Sequence, residues 1–253
     1  MSVQAVLYIS HGSRSKEGVQ EALHFIDQCQ RKINVKLQEI CFLELVKPNI
    51  SEGIANCVKR GATHITVVPV LLLTAVHAKR DIPYALAKAK ELYPQTEFTY
   101  GTPLGVHPKL IECLYDQLTE QKSEAHTNST LLIVGRGSSD PEVKSDLTEI
   151  ARQFEQMHDV PKIHTCFLYG ASPKFDEALM SLLKGERKQI FILPYLLFSG
   201  LLMNGIQRKI EQMQDESKQI ILCETLGHHP AVPDILSERI NELLHYKEKQ
   251  WVI

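Results

Sequence analysis

The sequence predicts an α/β protein of two tandem, similar, doubly wound domains, each a four-stranded parallel sheet flanked by helices, with a cleft between them. Three observations predict it. At 253 residues the chain is too long for one small core and suits two domains. Short β-branched apolar runs alternate with longer amphipathic segments, the pattern of parallel strands joined by helical crossovers. The whole pattern then occurs a second time, and a repeat of this length decides the architecture.

The repeat keeps its spacing. His11-Gly12-Ser13 returns as Arg136-Gly137-Ser138, an offset of 125 residues. The same offset carries Phe42-Leu43 to Phe167-Leu168, Pro48 to Pro173, Pro69 to Pro194 and Leu71-Leu72 to Leu196-Leu197. Leu104-Gly105 with Pro108 returns as Leu226-Gly227 with Pro230 at an offset of 122, which one short deletion explains. These matches put one domain at residues 1–122 and the other at 129–253, joined by a polar linker over 121–130.

Within the first copy, strands are expected over residues 3–10, 36–42, 64–69 and 97–100. Helices are expected over 16–31, 50–60, 79–92 and 109–120. The first strand is almost wholly apolar, as a strand covered on both faces should be. The second copy repeats the scheme with strands over 130–134, 162–167, 189–193 and 219–222 and helical patterns between them.

Composition narrows the function. The chain is 43% hydrophobic and 23% charged, with a formal net charge of -2, so it has no global field for nucleic acid. Its six cysteines are scattered without a C-x-x-C pair, which suits reduced thiols. The N-terminus, Met-Ser-Val-Gln-Ala, lacks a positive n-region. The longest apolar runs, over 67–76 and 190–203, contain prolines and fall short of the roughly 20 residues a spanning helix needs. A soluble, cytoplasmic protein is expected, and a monomer, since a duplicated chain can supply both walls of its own cleft. Glycine-rich phosphate loops and a G-x-S-x-G nucleophile elbow are absent, which moves nucleotide, nicotinamide and serine-hydrolase chemistry down the list.

Ligands of open parallel sheets gather beyond the carboxyl ends of the strands. Those ends carry His11 after the first strand, Glu44 after the second and His77 after the third. Each has an ordinary structural role open to it: a hydrogen-bonded loop residue, a cap for the helix near Pro48, a core histidine. The second copy favours function. It keeps the glycine, serine, prolines and leucines but has Arg136, Tyr169 and Leu202 where these three would stand. Two imidazoles and a carboxylate suit a borderline divalent ion such as Fe(II), Co(II), Ni(II) or Zn(II). A neutral imidazole is equally a base near neutral pH. His107, His228 and His229 sit at turns before helices, where a structural role suffices.

Cations recur around the same strand ends: Arg14 and Lys16, Lys47, and Lys79-Arg80, with Arg136 and Arg208 from the second copy. They suit an acidic small molecule through charge-assisted hydrogen bonds. A site of this kind with open positions can hold a metal loosely or take protons from a substrate.

Ser10-His11-Gly12-Ser13-Arg14, then Phe42-Leu43-Glu44, then Val68-Pro69-Val70-Leu71-Leu72 leading to His77, resembles the class II chelatases. The match is best to the sirohydrochlorin chelatases in their long, duplicated, iron-inserting form, and it covers both halves. The resemblance implies insertion of Fe(II) into sirohydrochlorin to give sirohaem and two protons, without ATP and without a permanently bound cofactor. It assigns metal delivery and pyrrole deprotonation to His11, His77 and Glu44, and it gives Arg14, Lys47, Arg80 and Arg136 the substrate's carboxylates. The alternatives are Co(II) insertion for cobalamin synthesis, a metal or tetrapyrrole carrier without turnover, and an interaction module with structural histidines; Co(II) or Ni(II) is also accepted in vitro. The second copy departs from a two-site pattern, because Arg136 and Leu202 stand where further histidines would be.

Overall fold

The computed structural model describes residues 2–121, 129–213, 215 and 217–245; most of the expected linker, residues 122–128, lies outside them. The first copy runs β1 (Gln4–Ser10), α1 (Lys16–Gln30), β2 (Leu37–Phe42), α2 (Ile50–Lys59), β3 (His64–Val70), α3 (Ile82–Leu92), β4 (Glu97–Tyr100) and α4 (Pro108–Thr119). The second runs β5 (Ser129–Gly135), α5 (Pro141–Met157), β6 (Ile163–Phe167), α6 (Phe175–Leu183), β7 (Gln189–Tyr195), α7 (Leu201–Gln212), β8 (Gln219–Leu222) and α8 (Ala231–His245). Every strand expected from the sequence is present.

Two four-stranded sheets result, with strand orders β2-β1-β3-β4 and β6-β5-β7-β8 and all pairs parallel. The winding direction reverses about β1 and β3, so that edge is the switch point where open α/β sheets place ligands. Register makes the edge flush, because Ser10 faces both Phe42 and Val70. The first residues beyond β1, β2 and β3 therefore leave the sheet at one level.

Local chemistry starts the helices after that edge. The Ser15 side chain accepts from the Gly18 N–H to cap α1, and Asn49 and Glu52 form a reciprocal capping box on α2. Leu7, Ile9, Ile54, Ile65, Val67, Ile82 and Leu86 form the buried core under the first sheet. Leu132, Val134, Phe175, Leu179, Ile190 and Ile206 do the same under the second. Each such burial contributes about 1.5–3 kcal/mol relative to exposure, so the strand ends are held by a rigid base.

The compact units follow packing rather than the repeat. One comprises the chain to Gly105 with the segment from Pro233, and the other is Val106–Val232. α4 thus belongs to the second unit and nearly all of α8 to the first. In the first unit Arg239 donates to the Pro103 carbonyl at 2.7 Å, and Lys32 pairs with Asp234. In the second, Tyr115 of α4 stacks on His158 at 3.8 Å, and Gln117 donates to the Thr225 carbonyl at 2.8 Å. An apolar stripe says that a helix covers something, not which of two similar sheets it covers. These side-chain contacts decide it.

No described helix is long and apolar enough to cross a membrane. All six cysteines are buried and free of disulfides. Burial pushes the thiols of Cys29, Cys57, Cys113, Cys166 and Cys223 up to about 12 and that of Cys41 higher still. With so little thiolate, the native thiols should react with a disulfide reagent at least about 100-fold more slowly than those of the denatured chain. A time course with and without denaturant checks this.

Candidate metal centre

The site is assembled by backbone before any side chain acts. His11 follows β1 directly, and Gly12 beside it has φ +90. A Cβ on Gly12 would lie 2.0 Å from the Glu44 carbonyl oxygen, so only glycine lets the two loops approach this closely. Across that approach the Leu43 N–H donates to the Ser10 carbonyl at 2.9 Å and the Glu44 N–H to the His11 carbonyl at 3.2 Å. Two residues far apart in sequence are locked side by side.

His77 arrives by a different route. Beyond β3 the carbonyls of Leu71 and Leu72 accept from the Leu104 and Gly105 N–H groups at 3.0 and 2.6 Å, which fixes the path of the intervening loop. His77–Asp81 then forms a single π-helical turn ahead of α3. Its cause is visible. The Tyr100 hydroxyl donates to the Ala78 carbonyl at 2.9 Å, the acceptor an α-helix would offer to the Ile82 N–H, and that N–H reaches back to His77 instead. Pro83 follows with no N–H of its own to restore the ladder. Such turns recur at functional sites. Helical winding therefore begins at His77, earlier than the sequence pattern suggests.

One ligand atom from each of His11, Glu44 and His77 lies within 4.8 Å of the others. The imidazole centroids are 5.0 Å apart with their planes at 87°, and His11 Nδ1 is 3.6 Å from Glu44 Oε1. Adjacent donors on an ion with bonds of about 2.1 Å stand roughly 3–3.5 Å apart, so an inward turn of the side chains brings all three onto one ion. The side chains are 27%, 47% and 30% exposed, while His11 Nε2 itself is buried. The three strand-end residues singled out from the sequence are brought together.

Sequence reasoning passes over Asp81. Its Oδ2 lies 2.7 Å from His77 Nδ1, while Arg80 donates to its Oδ1 at 3.3 Å. Desolvation opposes the Asp81 carboxylate, but the hydrogen bonds from His77 and Arg80 outweigh it and hold the carboxyl below its ordinary value. A carboxylate bonded to one ring nitrogen of an imidazole selects its tautomer and fixes the ring, leaving Nε2 available as a ligand. The available signal was the spacing: His77 and Asp81 are four apart where a helix begins.

The cations singled out from the sequence are differently engaged. Lys47 pairs with Glu52 at 3.0 Å and Arg80 with Asp81, while Arg14 and Arg136 are exposed. A surface pair such as Lys47–Glu52 is worth little and yields readily to a stronger anion. The second copy repeats the backbone device with different chemistry. Gly137 has φ +84, and the Tyr169 N–H donates to the Arg136 carbonyl at 2.9 Å. Leu202 there packs against the core. Among the described residues, the cluster of His11, Glu44 and His77 is the one group of three or more such side chains suited to an ion. His107 and His229 have helix-capping roles, accepting from the Lys109 and Ala231 N–H groups at 3.2 Å each.

Fold and site define a class: a duplicated, doubly wound α/β protein with one two-histidine, one-carboxylate donor set at a strand-end switch point. The chain belongs to the CbiX family, whose model matches residues 5–121 and again 130–243. It is 45% identical over 249 residues to the sirohydrochlorin ferrochelatase of Priestia megaterium, covering 98% of this chain and 94% of that protein. To the sirohydrochlorin cobaltochelatase of Priestia megaterium it is 37% identical over 253 residues, covering 98% and 82%. The structure of SirB from Bacillus subtilis with Fe3+ superposes with a TM-score of 0.86 at 40% identity, over 97% of this chain and 96% of that one. The resemblance read from the strand-end motifs is borne out, and so are the tandem α/β domains.

Replacing Asp81 with Ala should weaken metal binding about 10- to 100-fold, and Asp81→Asn should recover part of the loss by keeping an acceptor on His77. Titration with Co(II), followed by its visible absorption, reads this out. Because the folded carboxyl is depressed, its stabilising contribution is complete above about pH 4 and is lost as pH falls through the folded value. The thermal stability of Asp81→Asn, measured at a series of pH values, should therefore lie below wild type at neutral pH and converge with it only below that window.

Proposed function

We propose that the protein inserts Fe(II) into sirohydrochlorin to give sirohaem and two protons, without ATP. One observation carries this reading: the His11, Glu44 and His77 donors converge at the switch point in a CbiX-family chain. Its Priestia megaterium relative at 45% identity is a sirohydrochlorin ferrochelatase.

The residues suit each demand of the reaction. Fe(II) is a substrate here and must be bound yet released. Imidazole and carboxylate suit Fe(II), Co(II) and Ni(II), and the donor set contains no thiolate to hold the ion too firmly. His11 and His77 present the metal, and Asp81 keeps the His77 ring in place. Glu44, the anionic and most exposed of the three, accepts pyrrole protons or completes the coordination. Arg14, Lys47 and Arg80 hold the macrocycle's carboxylates. We take the working protein to be a cytoplasmic monomer, because one chain contains both copies of the repeat.

Co(II) insertion is the second reading, favoured by the likeness to a cobaltochelatase and by the same donors. Purified protein mixed anaerobically with sirohydrochlorin and Fe(II), Co(II) or Ni(II) in turn decides between them. Fe(II) should give the largest acceleration of the insertion absorbance change over a control without protein. Acceleration by Co(II) alone would make the chain a cobaltochelatase. Binding without acceleration by any ion would leave a carrier and overturn the enzymatic reading.

His11→Ala and His77→Ala should each lower kcat by about 100-fold or more while leaving thermal unfolding unchanged. Full activity in both would remove the site assignment. Arg14→Ala should raise KM for sirohydrochlorin roughly tenfold with kcat retained, the loss of one charge-assisted hydrogen bond. Steady-state kinetics at fixed salt measure both.

A further inference from the structure

The turn after β2 carries a cost that the fold does not recover. Leu45 has φ +67 and is the one non-glycine residue with positive φ among the described residues. The Val46 N–H donates to the Glu44 carbonyl at 2.8 Å, closing a three-residue γ-turn about Leu45. With positive φ at its centre, this turn is rare and strained for an L side chain. No burial offsets the strain, because Leu45 is 54% exposed and lies outside the core cluster under its sheet.

The second copy builds the same turn without that cost. Gly170 stands at the equivalent position with φ +66, and the Ala171 N–H donates to the Tyr169 carbonyl at 2.6 Å. A Cβ on Gly170 would meet the Ser138 backbone C, O and Cα at 2.4, 2.7 and 2.8 Å. The second copy therefore admits no side chain here. The first copy has made room for one and filled it with an exposed aliphatic group next to Glu44. A turn needed only for its shape would be served by glycine in both copies, so the leucine side chain has a task of its own.

The chemistry of the neighbourhood indicates that task. His11, Glu44, His77 and Asp81 are polar, and the surrounding cations suit the carboxylates at a macrocycle's rim. A tetrapyrrole also has broad apolar ring faces, which none of these groups serves. We propose that Leu45 is a substrate-contacting residue, its side chain resting on the ring face and holding the pyrrole nitrogens against Glu44. The proposal rests on sirohydrochlorin being the substrate, and it adds the group that would recognise the ring rather than its carboxylates.

Three variants test it: Leu45→Gly, which restores the residue used in the second copy, Leu45→Asn, which tolerates positive φ but is polar, and Leu45→Met, which stays apolar. Leu45→Gly should unfold at the same temperature as wild type or higher. Its KM for sirohydrochlorin, and its Kd by equilibrium dialysis without metal, should both rise about tenfold. KM for Fe(II) should stay within about twofold. Leu45→Asn should resemble the glycine variant and Leu45→Met the wild type.

A sirohydrochlorin Kd for Leu45→Gly within about twofold of wild type would overturn the proposal, as would equal Kd values for the Asn and Met variants. The dialysis arm separates this from the function itself. Wild type that binds sirohydrochlorin without inserting metal would refute the enzymatic reading, while weaker binding by Leu45→Gly would still support the contact. Wild type that does not bind sirohydrochlorin would overturn both.

Discussion

The hydrogen bond from the Glu44 N–H to the His11 carbonyl, made across the close approach that Gly12 permits, is the constraint on which the site depends. It joins the ends of β1 and β2 at the level where the register has already made them flush. With those loops joined, Glu44 has little freedom except at its own side chain, and His11 lies beside it. The second copy makes the same bond between Tyr169 and Arg136. The backbone device is thus a shared scaffold, and chemistry is a matter of which side chains are mounted on it.

His77 is mounted differently, and its setting explains how a soft assembly can still be directional. In the π-helical turn Tyr100 donates to the Ala78 carbonyl while the Ile82 N–H reaches back to His77, and His77 and Asp81 lie within hydrogen-bonding distance. The three donor side chains are partly exposed, so the set is only loosely enclosed. A centre that must take up an ion and then surrender it is better served by this looseness than by a closed cage. Asp81 supplies orientation without adding another ligand.

The two copies divide their roles by small exchanges at equivalent positions. Imidazole in one is guanidinium in the other, carboxylate is phenol, and a strained leucine is a glycine. Duplication allows this because the sheet and its loops persist in both copies while the strand-end residues vary. Leu45 shows the limit of that freedom. Its strain is tolerable only because the rest of the loop is held by the scaffold it shares with Gly170.

Much of this was legible in the sequence. Alternation of apolar strands and amphipathic helices, written twice, determined the α/β class and the repeat. The internal comparison marked His11, Glu44 and His77 because their positions change while the scaffold residues do not. These are properties of local pattern, which the chain states directly. Tertiary structure alone decided the rest. Asp81 lies among ordinary helix-start residues until the π turn presents it to His77. The strain at Leu45 depends on a φ angle that composition does not reveal. The seats of α4 and α8 differ from the repeat boundaries, since two similar sheets offer equivalent partners to any amphipathic helix. Periodicity specifies that a face is buried; only packing in three dimensions selects what buries it.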